Sequence, residues 1–422
     1  MKKRSPCPCV LPLRHGVSAA LWGLVGIASA QVTPLNIDDA VRLGIAQNPL
    51  VKAGKAGVDS AYYGYRSLGA PPPLSLSGSH VQGMATTADT ILDLGTTFDL
   101  SGQRRYQAAG ANALFKSTQY QFQETLLTLE QQIRDAYWSL AAAQAQTKIA
   151  DVSLTEAKRV YDLTVTQEQA GSSPHGDVLR SSIDVANAKQ TILAARLAER
   201  TALIAFNNLL GRKPETPTPL DVDLADADNL PALDLPTLEQ LQTQAAANRP
   251  LLKSATAQTK SSDFAVRGAE AARFPDLGLD YQRSFQTTLD SVVLTASFPL
   301  FDFGSIRHSI RSAREARKQN EALELQTRQQ IEAQVAQAHA DLQLALESAA
   351  DYKKEILDPS VTLLGIVQLG YKQGATGILP VIDAEATIRN ARVGYINSLL
   401  AIYKAQDETL AATGTLPKTA GK

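Results

Sequence analysis

The sequence predicts a mainly α chain with a smaller β portion suited to a membrane, built as a tandem duplication of long helical hairpins. Three observations predict it. Two halves offset by about 200 residues carry the same motifs in the same order. Apolar residues keep an unbroken four-three spacing through most of each half. Between these stretches lie short segments with the period-two alternation of strands.

Residues 1–30 read as a secretory leader. Lys2, Lys3 and Arg4 precede the apolar run GVSAALWGLVGIA, and Ala28-Ser29-Ala30 stands before Gln31 as a small-residue cleavage site. Cleavage would remove Cys7 and Cys9, which excludes thiol catalysis, disulfides and cysteine-based metal sites. Losing Lys2, Lys3, Arg4 and Arg14 takes the formal charge from −1 to −5 (−1 minus 4), so nucleic acid is not an expected partner. No later apolar run reaches the roughly 18–20 residues of a spanning helix. An exported chain of this kind enters a membrane only as strands.

The first repeat spans 31–211, with a helix, a strand pair at 74–100, a long helix at 103–170, a turn, and a helix at 177–210. The stretch 212–236, rich in Pro and Asp, reads as a linker. The second repeat spans 237–414, with a helix, strands at 276–300, a long helix at 305–372, a turn, and a helix at 380–412; 415–422 is a tail. IAQNPLVKAG resembles AAANRPLLKSA, and TFDLSGQRR resembles SFPLFDFGSIR with two extra residues. QAGSSPHGDVLRSSIDVANAK matches KQGATGILPVIDAEATIRNAR without a gap, and Gly211 pairs with Gly414.

Phe122, Leu126, Leu129, Ile133, Ala136, Leu140, Ala143, Thr147, Ala150, Leu154, Ala157, Tyr161 and Thr164 lie on one seam of the first long helix. Ile331, Val335, Ala338, Leu342, Ala345, Ala349, Tyr352 and Ile356 repeat it in the second. A 3.5-residue period held this long is a coiled-coil seam, and its alanines allow close approach. No proline interrupts Arg104 to Ser173, which at 1.5 Å per residue is on the order of 100 Å of helix. A compact domain has no use for such a rod.

In the strands, Leu92, Leu94, Thr96, Phe98 and Leu100 oppose Asp93, Thr97 and Asp99. Val292, Leu294, Ala296, Phe298 and Leu300 oppose Ser291, Thr295 and Ser297, and the third strand offers Leu277, Leu279 and Tyr281. Apolar-out, polar-in strands suit a membrane barrel, with Leu92, Leu94, Phe98, Leu279, Val292, Leu294 and Phe298 facing lipid. A small soluble sandwich fits the alternation equally well. Four strands cannot close a barrel, for which about eight is the minimum, so strands that meet lipid require several copies.

These motifs resemble the TolC family of outer-membrane efflux and secretion channels over essentially the whole mature chain. LNIDDAVRLGIAQNPLVKAG resembles the family's N-terminal helix motif, and YKQGATGILPVIDAEATIRNAR its turn motif, Y-x-x-G followed by D-V-L-D-A. The resemblance implies a homotrimer with one shared twelve-stranded barrel and a helical tunnel through the periplasm. It implies a passive conduit for a tripartite efflux pump or type I secretion system. Its partners would be outer-membrane lipid, a periplasmic adaptor (membrane fusion) protein and an inner-membrane pump of RND, ABC or MFS type.

Residue by residue, Asp177 falls on the family's first-turn aspartate. Tyr371 falls on the tyrosine that bonds to it, and Asp383 on a pore-facing aspartate. The three together would form the gate at the tip. Gly171, Gly374 and Gly377 mark the hairpin turns, where the adaptor would dock. Two departures stand out: Pro380 replaces the first aspartate of D-V-L-D, and Thr376 occupies the place of a gating arginine in some members. The bland alternative makes Asp177 and Asp383 first-turn carboxylates that complement helix dipoles. No Walker loop, H-E-x-x-H or nucleophile elbow is present, and His80, His175, His308 and His339 are scattered. No enzyme, cofactor or metal site is therefore expected. The rival class is a periplasmic coiled-coil scaffold with a soluble β cap.

Overall fold

The computed structural model describes residues 34–81, 89–225, 230, 235–286, 288–297 and 302–416. The expected leader, Phe298 and part of the Pro/Asp-rich stretch lie outside the described residues. In the first repeat, α1 (Ile37–Gln47) and α2 (Pro49–Gly69) lead into β1 (Ser75–Val81) and β2 (Asp89–Asp99). The rods α3 (Gln103–Gln169) and α4 (His175–Leu209) follow. The second repeat runs α5 (Leu238–Asn248), α6 (Pro250–Ala271), β3 (Asp276–Ser284) and β4 (Asp290–Ser297). It continues with α7 (Ser305–Tyr352), a π-helical turn (Lys353–Leu357), α8 (Asp358–Lys372) and α9 (Ile378–Thr413).

Each repeat opens with two helices where the sequence suggests one, and proline is the reason. Pro49 and Pro250 hold the first position of α2 and α6, which pushes the residue before out of helical conformation. Asn48 turns that break into a cap: its side-chain oxygen accepts from the Leu50 N–H at 2.9 Å, and its amide donates to the Leu209 carbonyl at 2.9 Å. The strand-to-helix junctions share another device. Asp99 accepts the Arg104 N–H ahead of α3, and Asp302 accepts the Gly304 and Ile306 N–H groups at 3.1 and 2.9 Å ahead of α7.

The α3 seam is buried or half-buried along its whole length, with Ile133 and Leu140 fully enclosed. It packs against α4, α6 and α9. The second seam departs from expectation at Ile356, which is exposed. Pro359 has no N–H to return to the carbonyl of residue 355, and its ring crowds that turn. The helix accommodates it with one π turn, whose extra residue moves the seam by one position. The buried side then continues at Leu357, Ser360, Leu364, Val367 and Tyr371.

A buried arginine ties the two repeats together. On α3, the Arg134 guanidinium lies 3.3 Å from Glu130, 3.0 Å from Asp38 of α1 and 3.7 Å from Asp407 of α9. Asp407 also accepts from the Trp138 indole at 2.9 Å, and that ring stacks on Tyr403 with centroids 4.0 Å apart. The Pro/Asp-rich stretch is not a free tether where it is described. Leu35 and Leu220 form a parallel bridge, Tyr137 donates to Asp221, and Leu224 is buried. Asn207 at the end of α4 pins its start by donating to the Pro214 and Thr216 carbonyls.

The strands form one antiparallel sheet in the order β1-β2-β3-β4, leaving β1 and β4 as its edges. Register gathers most of the apolar side chains on one face. Leu76 opposes Leu94, Leu94 opposes Tyr281, and Tyr281 opposes Val292; Leu279 likewise opposes Leu294. Leu92, Leu94, Phe98, Leu279, Val292 and Leu294 all lie on this exposed apolar face, Val292 at 72% and Leu294 at 69% exposure. No described helix is long and apolar enough to cross a membrane.

Seam burial predicts that Leu140→Ala lowers unfolding free energy by about 2–5 kcal/mol in denaturant titration. Leu140→Asp, which buries an unpaired charge, should abolish folded yield. Normal yield of Leu140→Asp would show the seam to be accessible.

Candidate functional site

Two hairpin turns stand at the end of the helical rods away from the sheet. The first joins α3 to α4 and the second joins α8 to α9. Both rods stop in the same way, with Gly171 at φ +74° and Gly374 at φ +73° in the left-handed region. The next N–H folds back on the rod, Ser172 to the Gln167 carbonyl and Ala375 to the Gly370 carbonyl, each at 2.9 Å. Gly377 is different. Its φ of −74° is open to any residue, so the expected third turn glycine is not required by conformation.

Asp177 is half-buried in the first turn of α4 and accepts from the Ser173 hydroxyl at 3.2 Å. Tyr371 donates to the Gln167 side chain on α3. The expected Asp177–Tyr371 bond is therefore not made within the chain. Tyr371 lies on the α8 face turned toward the last turns of α3, while Asp177 folds back onto the residues that begin its own helix. Asp383 is exposed. Because α9 begins at Ile378 rather than at residue 380, Asp383 sits in the second turn, beyond the strongest part of the dipole. The dipole explanation thus suits Asp177 better than Asp383.

Above the second turn, the rods enclose a charged cavity of about 340 Å³. Glu156 and Arg159 of α3, Asp184 of α4, Gln368 of α8, and Glu385, Arg389 and Arg392 of α9 line it. Arg159 is committed to Glu156 at 2.8 Å. One oxygen of Glu385 is buried with no hydrogen-bond partner. Burial, reinforced by the charges of Asp184 and Glu156, pushes the Glu385 carboxyl up to about 7, and burial also raises Asp184. In the sequence this cluster is inconspicuous. Its one visible sign is a glutamate beside Val381, Ala384 and Ile388, the apolar stripe of α9. Among the described residues, no group of three or more His, Asp or Glu is placed to hold a metal ion.

The sign of the pH effect follows from these positions. With a folded value raised from 4.5 to about 7, Glu385 is neutral in both states at low pH and costs nothing there. The penalty grows as pH rises through this window, so stability falls between pH 4.5 and 7. Allowing for partial solvent access, the loss is about 1–3 kcal/mol. Glu385→Gln should flatten that part of the pH–stability curve and raise the melting temperature at pH 7.5; an unchanged curve would show that the carboxyl is solvated.

Comparison with known proteins places these features in context. The sequence pattern of the family described as "Outer membrane efflux protein" matches residues 41–212 and again 241–415, once in each repeat. The cobalt-zinc-cadmium resistance protein CzcC of Cupriavidus metallidurans is 22% identical over 378 residues, covering 88% of each chain. Protein CyaE of Bordetella pertussis is 25% identical over 410 residues, covering 90% of this chain and 84% of its own. Among solved structures, CusC superposes with a TM-score of 0.79 at 20% identity, covering 91% of this chain and 93% of that one. The Campylobacter jejuni CmeC outer membrane channel gives 0.78 at 16% identity, covering 90% and 85%.

Proposed function

Because the chain belongs to the outer membrane efflux protein family, we propose that three copies form one channel, the passive outer-membrane conduit of a tripartite export assembly. The observation that carries this reading is the open sheet. Its apolar face suits lipid, but its β1 and β4 edges leave backbone groups unpaired, which hydrocarbon does not tolerate. Further copies supply the missing strands, and three copies of four strands close a barrel. The helical part asks for the same partner. Leu179, Ile183, Leu193, Leu197 and Ile204 of α4 continue a four-three pattern while exposed, and Leu363, Ile366 and Leu369, three residues apart on α8, are exposed as well. A second copy offers apolar rods of matching length and is the occupant proposed for both.

In this assembly the hairpin turns point into the periplasm. The turns at Gly171, Gly374 and Gly377 form the docking surface for a periplasmic adaptor, which couples the conduit to an inner-membrane pump. Asp383 lines the narrow end, with Asp177 and Tyr371 bracing the neighbouring turns. Three exposed carboxylates at a constriction attract cations and repel anions. Relatives are named for resistance to cobalt, zinc and cadmium, for cation efflux and for pyoverdine export. Such varied cargo suits a conduit whose substrate is chosen by its partner pump.

In detergent the mature protein should have the mass of a trimer and should give discrete conductance steps in planar bilayers. A monodisperse monomer without conductance would overturn the proposal. Asp383→Asn should reduce cation preference and block by multivalent cations, with trimer yield unchanged; full block in that variant would remove Asp383 from the gate.

A further inference from the structure

The basic residues of this chain are sorted by type as well as by place. Residues 56–115 and 261–315, which hold the sheet and the helix ends beside it, carry nine arginines and no lysine. Residues 31–55, 116–260 and 316–422 carry 12 arginines and 16 lysines. A solvated surface uses either residue, but only the planar guanidinium fork grips two oxygens of one phosphate. Arg283 of the nine lies toward the hairpin end of the sheet, 3.8 Å from Asp290. The other eight stand at the opposite end, where α2 and α6 deliver the chain to the strands and α3 and α7 leave them.

Three of those eight are engaged within the chain. Arg104 donates to the Ala70 and Pro71 carbonyls, Arg314 pairs with Glu270 at 2.7 Å, and the Arg267 guanidinium lies over the Phe264 ring at 5.8 Å. Arg66, Arg105, Arg273, Arg307 and Arg311 are exposed, and none has an ion-pair partner among the described residues. The acids nearby are mostly taken: Asp99 and Asp302 accept the N–H groups that open α3 and α7, and Glu270 holds Arg314. Arg105 and Arg307 are each the third residue of their rod, the same place in both repeats. Neither rod has an acid in its first turn. A cation there opposes the helix dipole, so helix stability alone does not account for it.

We propose that these arginines bind anionic phospholipids of the periplasm-facing leaflet through bidentate contacts to headgroup phosphate, with Arg105, Arg307 and Arg311 as the principal contacts. The inference rests on the membrane-channel reading above, which places the apolar face of the strands in hydrocarbon. The arginines begin where the strands end, so they continue that lipid-facing surface into the headgroups. A headgroup layer is about 5–8 Å deep, half the difference between about 30 Å of hydrocarbon and 40–45 Å of whole bilayer. Arg307 and Arg311 are four residues apart, about 6 Å along α7, and fit within one such layer. Five unpaired cations in each copy are complementary to an anionic lipid surface and not to a zwitterionic one. Phosphate bound here fixes the depth of the channel in the bilayer, which an apolar band alone sets only loosely.

The test is lipid retention by the mature trimer in detergent, read by native mass spectrometry with equal amounts of phosphatidylglycerol and phosphatidylethanolamine. The wild type should retain phosphatidylglycerol in preference by about fivefold or more. Arg307→Gln/Arg311→Gln should weaken that binding by about tenfold, and Arg307→Lys/Arg311→Lys, which keeps the charge without the fork, should recover only part of it. Arg180→Gln/Arg328→Gln removes two exposed arginines far along α4 and α7 and should bind as the wild type does. Equal retention of the two lipids, unchanged binding in the first Gln variant, full binding in the Lys variant, or an equal loss in the control variant would each overturn the site and leave the channel reading intact. So would heat protection of the trimer by inorganic phosphate equal to that by phosphatidylglycerol, the mark of a free-anion site. A protein that stays monomeric and does not enter lipid would overturn the channel reading, and this one with it. Should Arg307→Gln/Arg311→Gln fail to assemble, the wild-type lipid preference and Arg307→Gln alone decide the matter.

Discussion

Unpaired backbone at the two edges of the sheet is the constraint on which the rest of this molecule depends. An N–H or carbonyl facing hydrocarbon without a partner costs several kcal/mol, and each edge strand presents a row of them. The apolar face sends the sheet to lipid, and its edges forbid it to be there alone. Everything else is scaled to that demand. The α3 and α7–α8 rods leave the sheet through aspartate-capped junctions, so the helices inherit the order of the strands. Their seams hold each hairpin together, and apolar stripes on α4 and α8 stay exposed within one copy.

Duplication explains why one chain supplies two similar hairpins, but the copies have diverged where they meet. Arg134, Glu130 and Asp38 belong to the first repeat and reach across to Asp407 on α9 of the second. A buried arginine shared in this way is weak evidence of stability and better evidence of specified geometry. It distinguishes the correct docking of α3 on α9 from shifts along two alanine-rich surfaces that would otherwise slide. The packed start of the Pro/Asp-rich stretch adds to this, since the Leu35–Leu220 bridge closes the first repeat before the second begins.

Much of this was legible in the sequence. Periodicity located the seams and the strands because both are set by which residues face apolar surroundings. The faces of β2 and β4 followed for the same reason, apart from Phe298, which lies outside the described residues. Three features were not legible. The break before Pro49 and Pro250 was hidden by apolar spacing that continues across it. The π turn was hidden because a one-residue slip leaves Ile356 looking like a seam residue. The Glu385 cavity was hidden because its members come from four helices, and only tertiary packing brings Glu156, Asp184 and Glu385 within range of one another. Residue-by-residue transfer from a family also has a limit, shown by Tyr371. Its hydroxyl donates to Gln167 on the packed rod rather than to the aspartate assigned to it.

The π turn has one further consequence, for symmetry. Two hairpins of common origin in each of three copies would make the far end of the rods close to six-fold. One residue more in the second rod would rotate everything beyond it by about 100°, the angle of one residue in a 3.6-residue turn. The π turn at Lys353–Leu357 absorbs that residue instead. Beyond it the buried stripe of Leu357, Ser360, Leu364, Val367 and Tyr371 stands in the same spacing from Gly374 as Leu154, Ala157, Tyr161, Thr164 and Glu168 stand from Gly171. The bulge thus cancels the insertion and keeps the far ends of the two rods equivalent.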